Sequence, residues 1–145
     1  MVPTLLVAAQ FALLGLWLAS GHVVSASLPA RLVQIAGGLL ALWSFAWMIA
    51  AQRRMFRISP DPTGHATLVV TGPYRWIRHP MYASILFVVA PPVLESRAAL
   101  PIAGLALLTA VLLVKLTVEE RLLALRFPGY PAYRERTWRL LPYVL

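Results

Sequence analysis

Four long runs without a charged residue divide the sequence, and they limit the possible folds more than any other feature. The runs cover residues 1–30, 32–52, 79–94 and 98–114. A membrane-spanning helix needs about 20 mostly apolar residues. In all, 60% of the 145 residues are hydrophobic and 12% are charged, and a soluble domain this small has too little interior to bury such a fraction. The runs therefore predict an integral membrane protein.

The same runs indicate how many helices cross the membrane. We expect four, over residues 4–19, 30–51, 81–94 and 98–118. Pro91 and Pro92 are expected to end the regular hydrogen bonding of the third helix, because proline has no N–H to donate. A buried helix of a soluble protein is the alternative for this shorter segment. The predicted fold is an all-α membrane protein of four transmembrane helices, a single domain over residues 1–145, with the last two helices forming a short hairpin.

Basic residues are unevenly distributed between the two ends of these helices. Eleven of the 13 Lys and Arg lie between the second and third helices or from near the end of the fourth helix onward, and only Arg31 and Arg97 lie on the other side. Loops rich in Lys and Arg stay in the cytoplasm. We therefore predict a cell or inner membrane protein with both termini, the middle loop and a helical C-terminal segment in the cytoplasm. No basic residue precedes Arg31, which disfavours a secretory signal peptide.

A polar and aromatic cluster over residues 71–82 leads into the third helix. It begins with a Gly-Pro turn signal and places Pro80 in the first turn of the helix, a position that proline favours. Aromatic and basic residues also gather at membrane interfaces as anchors. That alternative explains the aromatic residues, but it does not explain a histidine, His79, between Arg78 and Pro80.

A pair of carboxylates, Glu119 and Glu120, follows the fourth apolar run. Acidic groups are unfavourable at a helix C-terminus, so we expect the helix to continue to about Phe127. A solvated extension, in which the pair contacts Lys115, Arg121 or Arg126, is one interpretation. The other is a functional one, because carboxylates are costly beside hydrocarbon and polar residues kept there usually have a role.

Helix geometry brings the two clusters to one end of the protein. The gap between the third and fourth helices is very short, so these helices should run antiparallel. At about 1.5 Å per residue, His79 and Glu119 then differ by about 9 Å in depth. We therefore predict one pocket at the cytoplasmic interface, lined by the histidine cluster and the carboxylate pair.

The residue types restrict what this pocket can bind. The chain has no cysteine and three histidines, so a three-ligand metal site is not expected. Asp61 is the only aspartate, which disfavours Ser-His-Asp chemistry, and a charge split around apolar helices disfavours nucleic-acid binding. A ligand with a cation and hydroxyl groups would suit the glutamates, and its anionic end would suit arginine or a helix N-terminus. S-adenosylmethionine has these groups, although other ligands share them.

Four segments together resemble a known family of enzymes, the integral-membrane methyltransferases, which include isoprenylcysteine carboxyl methyltransferases and phospholipid N-methyltransferases. The segments are GPYRWIRHPMY (72–82), EERLL (119–123), FPGYPAY (127–133) and RLLP (139–142). The resemblance covers about residues 69–142. It implies a small helical membrane bundle that binds S-adenosylmethionine on the cytoplasmic side, with residues about 69–82 and 115–142.

The resemblance also implies roles for individual residues. His79, Pro80 and Tyr82 would border the S-adenosylmethionine, and Glu119 or Glu120 would hold its polar groups. Tyr130 and Arg139 would close the pocket. The residues implied for catalysis are Arg78, His79 and Glu120. Where the family often has glycine, two residues after the tyrosine, this chain has Ser84, whose side chain would narrow the cofactor channel or the helix contact.

The activity implied is methyl transfer from S-adenosylmethionine to a lipophilic acceptor drawn from the lipid bilayer. A prenylcysteine-like carboxylate, a phospholipid amine and a small apolar molecule are all compatible with the sequence. The alternatives are a non-catalytic four-helix membrane protein and a sterol-reductase-like enzyme that uses NADPH. Glycines on the helix faces are compatible with a homo-oligomer, since small residues allow helices to approach closely in a membrane.

Overall fold

The structure, a computed structural model, describes residues 2–58 and 68–142, and that part of the chain is helical. A 3₁₀ turn, Gly72–Arg75, precedes the third helix. The α-helices are α1 (Val2–Ala19), α2 (Leu28–Ile58), α3 (Pro80–Ser96), α4 (Ala99–Arg126) and α5 (Tyr130–Glu135). The prediction of an all-α fold is confirmed for these residues.

Two segments are long and apolar enough to cross a membrane, Leu28–Ala51 in α2 and Ala99–Arg126 in α4. In their most apolar stretches only 11% and 17% of the residues are buried within the protein, so both helices keep apolar surface that lipid could contact. The apolar segments of α1 and α3, Thr4–Ala19 and Pro80–Ser96, are shorter. Four membrane crossings therefore remain a prediction as far as α1 and α3 are concerned.

The two long helices extend beyond the apolar runs that predict them. Helix α2 continues from Ala51 to Ile58, and α4 continues to Arg126, close to the expected end near Phe127. Their last turns carry charged residues, which end an apolar run but do not end a helix, since Arg, Lys and Glu have good helix propensity.

The adjacent prolines Pro91 and Pro92 do not end α3, which corrects the prediction made from the sequence: the helix continues beyond them. Proline at position 92 leaves the Val88 carbonyl without its helical donor. Gln34 supplies the missing hydrogen bond, because its Nε2 donates to Val88 O at 2.9 Å and also to Val23 O at 2.9 Å. A side chain from α2 thus compensates for the break, the usual way in which membrane helices tolerate proline.

The helices pack as two pairs, α2 on α3 and α1 on α4, with less extensive contact between α3 and α4. Arg97 and Ala98 join α3 to α4, and Arg97 has a left-handed backbone with φ 52°. The predicted short hairpin connection is therefore present. At the same end, the backbone N–H groups of Ala26 and Ser27 donate to the Glu95 carboxylate, which ties the α1–α2 turn to α3.

Helices α2 and α3 approach most closely at Gly37. A Cβ atom at position 37 would lie 2.7 Å from Phe87 Cβ and 3.2 Å from Ser84 O. Ser84 is buried, and its hydroxyl donates to Met81 O at 2.7 Å. The Ser84 atom at this contact is the backbone carbonyl and not the side chain, and Ser84 is not among the residues that line the cavity described below.

Two neighbouring glycines of α2 provide a matched test of this packing. We expect Gly37→Ala to lower the free energy of unfolding by about 1–3 kcal/mol, because the added methyl group overpacks the α2–α3 contact. Gly38→Ala should raise it by about 0.5–1 kcal/mol, because no atom lies within 4 Å of the new Cβ and alanine is the better helix former. Thermal unfolding in detergent micelles measures both. Equal effects of the two substitutions would contradict this packing.

Candidate active site

The segment that leads into α3 is fixed by an aromatic ring of α2. Gly72 has φ +64°, and a Cβ atom there would lie 2.4 Å from ring atoms of Trp47. The indole N–H of Trp47 donates to Thr71 Oγ1 at 3.2 Å. Glycine is needed at this position both for its backbone conformation and for the close approach of the ring.

The C-terminal segment pairs with the same part of the chain through backbone hydrogen bonds. Arg78 N donates to Trp138 O at 2.7 Å, His79 N donates to Arg139 O at 3.1 Å, and Trp138 N donates to Trp76 O at 2.9 Å. A single parallel bridge joins Ile77 to Trp138. Residues near the C-terminal end of the described chain therefore hold Arg78 and His79 in place.

Side chains anchor this C-terminal segment as well. The hydroxyl of Tyr133, in α5, donates to Tyr74 O at 2.6 Å. Leu140 is buried in one hydrophobic cluster with Ala83 of α3 and Leu116 of α4. Helix α5 and the segment after it are thus part of the core that positions the site.

Glu120 forms the centre of an ion-pair cluster with two arginines. Its Oε1 lies 2.8 Å from Arg78 Nε, and its Oε2 lies 2.7 Å from Arg139 Nη2. The side chains of Arg78 and Glu120 are 7% and 4% exposed, whereas that of Arg139 is 30% exposed. Arg78 also donates to the Thr137 and Arg134 carbonyl oxygens. The cluster connects the start of α3, α4 and the C-terminal segment. The partners of Glu120 are thus Arg78 and Arg139, and not the Lys115, Arg121 or Arg126 expected for a solvated helix extension.

His79 lies between the two glutamates of α4. Its Nδ1 is 3.8 Å from Glu119 Oε2, and its Nε2 is 3.5 Å from Glu120 Oε1. Burial, together with the nearby Arg78 and Arg139 guanidinium groups, outweighs the attraction of Glu120 and lowers the pKa of His79 to about 4. The imidazole is therefore neutral near pH 7. The structure brings His79 and the carboxylate pair together, as the helix geometry predicts.

Glu119 and Tyr82 form a second polar contact beside this cluster. The hydroxyl of Tyr82 donates to Glu119 Oε1 at 2.6 Å, and its ring stacks on that of His79 with centroids 5.7 Å apart. The Glu119 side chain is 39% exposed. The two glutamates thus differ in environment, because Glu120 is enclosed by arginines while Glu119 is open to a ligand.

A cavity of about 560 Å³ adjoins these residues, within the range of small-molecule sites. Of the residues predicted for the site, Arg78, His79, Pro80, Tyr82, Glu119 and Tyr130 line it. Glu120 and Arg139 are not part of this lining. They stand behind it in the ion-pair cluster, which places them as supports for Arg78 and the C-terminal segment.

Other residues of the lining have no counterpart in the sequence-based prediction. Gln10 of α1 and Lys115 of α4 form a polar pair, with Lys115 Nζ donating to Gln10 Oε1 at 2.8 Å. The sequence signal for them is that Gln10 lies within the first apolar run and Lys115 directly follows the fourth, inside the predicted helix over residues 98–118, and polar groups in membrane helices usually face a partner. The remaining lining is apolar and aromatic, and includes Met48, Leu68, Val69, Tyr74, Met81, Ile85, Leu123, Phe127 and Tyr133.

Comparison with protein families identifies the chain. Residues 34–125 match the model of the isoprenylcysteine carboxyl methyltransferase (ICMT) family. The chain belongs to the ICMT family. Comparison with curated proteins and with solved structures finds no match. The resemblance stated from the sequence is thereby confirmed.

The region matched to the ICMT family differs from the region of the resemblance. The match begins within α2 and ends near the end of α4, so it contains His79 and both glutamates but not Tyr130 or Arg139. In the structure, Arg139 forms an ion pair with Glu120 and Tyr130 lines the same cavity as His79. Membership places the protein among membrane methyltransferases, in agreement with its long apolar helices.

Proposed function

We propose that this ICMT-family protein transfers the methyl group of S-adenosylmethionine to a lipophilic acceptor at the cytoplasmic face of the membrane. The family match supports methyltransferase activity. The orientation rests on the basic residues, since the cavity lies at the end of the helices where eleven of the 13 Lys and Arg of the sequence occur and such ends stay in the cytoplasm.

A buried polar atom without a hydrogen-bond partner carries this proposal. Within the described chain, the hydroxyl oxygen of Tyr130 is buried and has no hydrogen-bond partner, and Tyr130 lines the cavity. Burial raises the pKa of Tyr130 to about 12, so its hydroxyl remains a donor. An unpaired buried polar group costs about 1–3 kcal/mol, a cost that a bound ligand would remove.

The chemistry of the lining fits S-adenosylmethionine. The partly exposed Glu119 carboxylate would hold the ammonium group or the ribose hydroxyls, and the neutral imidazole of His79 would accept a hydrogen bond from a hydroxyl or amino group. The aromatic rings of Tyr74 and Tyr130, which line the cavity, suit a sulfonium cation and a flat base, because aromatic rings attract cations over their faces.

The residues of the site would act mainly by binding and orientation. When bound, S-adenosylmethionine supplies a methyl group on a positively charged sulfur that leaves as a neutral thioether. The Glu120 cluster holds Arg78 and the backbone of His79 in place, so this wall of the cavity is positioned before a ligand binds. Such preorganisation lowers the entropic cost of aligning the two reactants. A carboxylate acceptor needs no base. An amine acceptor would pass its proton to Glu119 or His79, and with a pKa of about 4 His79 is a weak base.

Part of the cavity lining suits a hydrocarbon chain. Met48, Met81, Ile85 and Leu123 contribute apolar surface, and Met81 is among the exposed large hydrophobic residues. A flexible methionine adapts to irregular apolar ligands. We propose that the acceptor enters this side from the lipid bilayer.

Binding of S-adenosylmethionine tests the proposal. We expect the purified full-length chain in detergent to bind S-adenosylmethionine and not NADPH in calorimetry, and to transfer a labelled methyl group into a membrane extract. Glu119→Gln should weaken binding about tenfold, because it removes a charged contact, and His79→Ala should reduce turnover. Glu135→Gln, at an exposed position of α5, is the matched control.

Two results would contradict the proposed activity, and a third would contradict the assignment of its residues. Folded protein that binds neither compound would favour a non-catalytic membrane protein, and binding of NADPH alone would favour a reductase. Unchanged affinity in Glu119→Gln together with unchanged turnover in His79→Ala would remove both residues from the site.

A further inference from the structure

Lys115 is a cation within a helix that is long and apolar enough to span the membrane. It lies one helical turn before Glu119 in α4 and lines the same cavity. Its ammonium group bonds to Gln10 Oε1 and lies 4.9 Å from the centre of the Tyr82 ring. Gln10 is buried near the middle of α1, so the lysine is held toward the interior of the bundle and is not extended to the membrane surface.

The charge of Lys115 differs from the other cationic charges of the site. Arg78 and Arg139 each form an ion pair with Glu120. Among the described residues, no carboxylate lies within ion-pair distance of Lys115 Nζ, whose contacts are a neutral amide oxygen and an aromatic face. Charged groups inside membrane proteins are costly, and they usually pair with an opposite charge or bind a ligand.

Gln10 positions the Lys115 ammonium group but leaves its positive charge in place. The amide oxygen fixes the ammonium group without neutralising it, whereas an aspartate or glutamate at position 10 would neutralise it. The ammonium group has three donors, and the bond to Gln10 uses one of them. Lys115 and Glu119 both line the cavity, so the cavity presents both signs of charge within one turn of α4.

We infer that Lys115, positioned by Gln10, binds a carboxylate in the cavity. This inference rests on the proposed function, which offers two sources of that carboxylate, the amino-acid end of S-adenosylmethionine and the methyl acceptor. In either case α1, which lies outside the matched region, contributes to ligand binding through Gln10.

Calorimetry with S-adenosylmethionine and its decarboxylated analogue tests the first source. If Lys115 binds the carboxylate of S-adenosylmethionine, the wild-type chain should bind the decarboxylated analogue about 10- to 100-fold more weakly than S-adenosylmethionine, because the analogue lacks one charge-assisted hydrogen bond. Lys115→Met should bind the two compounds with equal affinity. Lys115→Arg should retain the preference. Arg121→Met removes the same charge from an exposed position of α4 and is the matched control.

Methyl transfer into a membrane extract tests the second source. If Lys115 binds the acceptor, Lys115→Met binds S-adenosylmethionine normally, but at saturating S-adenosylmethionine it forms at least tenfold fewer alkali-labile methyl esters than the wild type. Gln10→Glu should have the same effect as Lys115→Met in the calorimetry and in the methyl-transfer assay, because it places a carboxylate beside Lys115 Nζ. It also serves as the test if Lys115→Met fails to fold.

Two outcomes overturn the inference, and they differ from each other. If the wild type is active, and if Lys115→Met and Gln10→Glu show the same ligand affinities and the same yield of methyl esters as the wild type, Lys115 has no part in binding and the proposed function stands. If the wild type neither binds S-adenosylmethionine nor transfers methyl groups, the proposed function fails and this inference fails with it.

Discussion

Replacing Glu120 by glutamine should lower the free energy of unfolding by about 3 kcal/mol and weaken S-adenosylmethionine binding. The substitution leaves Arg78 and Arg139 facing each other without a negative charge. Removing one partner of a buried ion pair typically costs about 3–5 kcal/mol, and the lower end applies because Arg139 is 30% exposed. Chemical or thermal unfolding in detergent measures stability, and calorimetry measures affinity.

A double substitution separates the ion-pair cluster from a general loss of packing. Arg78→Met combined with Glu120→Met should be more stable than Glu120→Gln alone, since replacing this buried pair by apolar groups of similar shape leaves only Arg139 without its carboxylate, and Arg139 is 30% exposed to solvent. Glu135→Gln, on the exposed surface, should change stability by less than about 0.5 kcal/mol. A Glu120→Gln protein as stable as this control would show that the cluster does not support the fold.

Replacing Gly72 by alanine should lower the free energy of unfolding by about 2–5 kcal/mol. A left-handed backbone costs an L-residue about 1–2 kcal/mol, and overpacking against the Trp47 ring costs about 1–3 kcal/mol more. The 3₁₀ turn would move, together with Tyr74 and the segment that bears His79, so methyl transfer should fall with stability. Thermal unfolding and the labelled-methyl assay measure the two effects.

The ring of Trp47 provides the internal check on this expectation. In a Trp47→Ala background, Gly72→Ala should cost less than in the wild type, because residues in contact give non-additive effects. Gly129→Ala is the matched glycine control, since Gly129 has φ −80° and no atom within 4 Å of an added Cβ. Strict additivity of the Gly72 and Trp47 substitutions would mean that the ring does not constrain the turn.

The helical fold can be predicted largely from the apolar runs, because each run is long and charges separate it from the next. The helix ends cannot be predicted from them, since α2 and α4 continue into charged sequence. The Pro91-Pro92 prediction was wrong for a different reason. The residue that compensates, Gln34, lies 54 positions away from Val88 in the sequence, and no local pattern links the two.

The site can be predicted where short connections fix the geometry. The two-residue connection between α3 and α4 places His79 near the glutamates, and the structure brings them together. The different environments of Glu119 and Glu120 depend on Arg139, which reaches the site through the pairing of residues 76–79 with 138–139. The Gln10–Lys115 contact spans 105 positions, and the only local sign of it is a polar residue within each of the two predicted helices.

The backbone pairing of residues 138–139 with residues 76–79 sets the order in which the protein becomes complete during synthesis. A nascent chain can insert its apolar helices into the bilayer before residue 138 has left the ribosome, yet His79 then lacks the partner of its N–H group. A protease that cut after α5 would produce the same incomplete state from mature protein. It would leave an inserted bundle in the membrane and disable the cavity, so anchoring and activity would be lost at different cleavage sites.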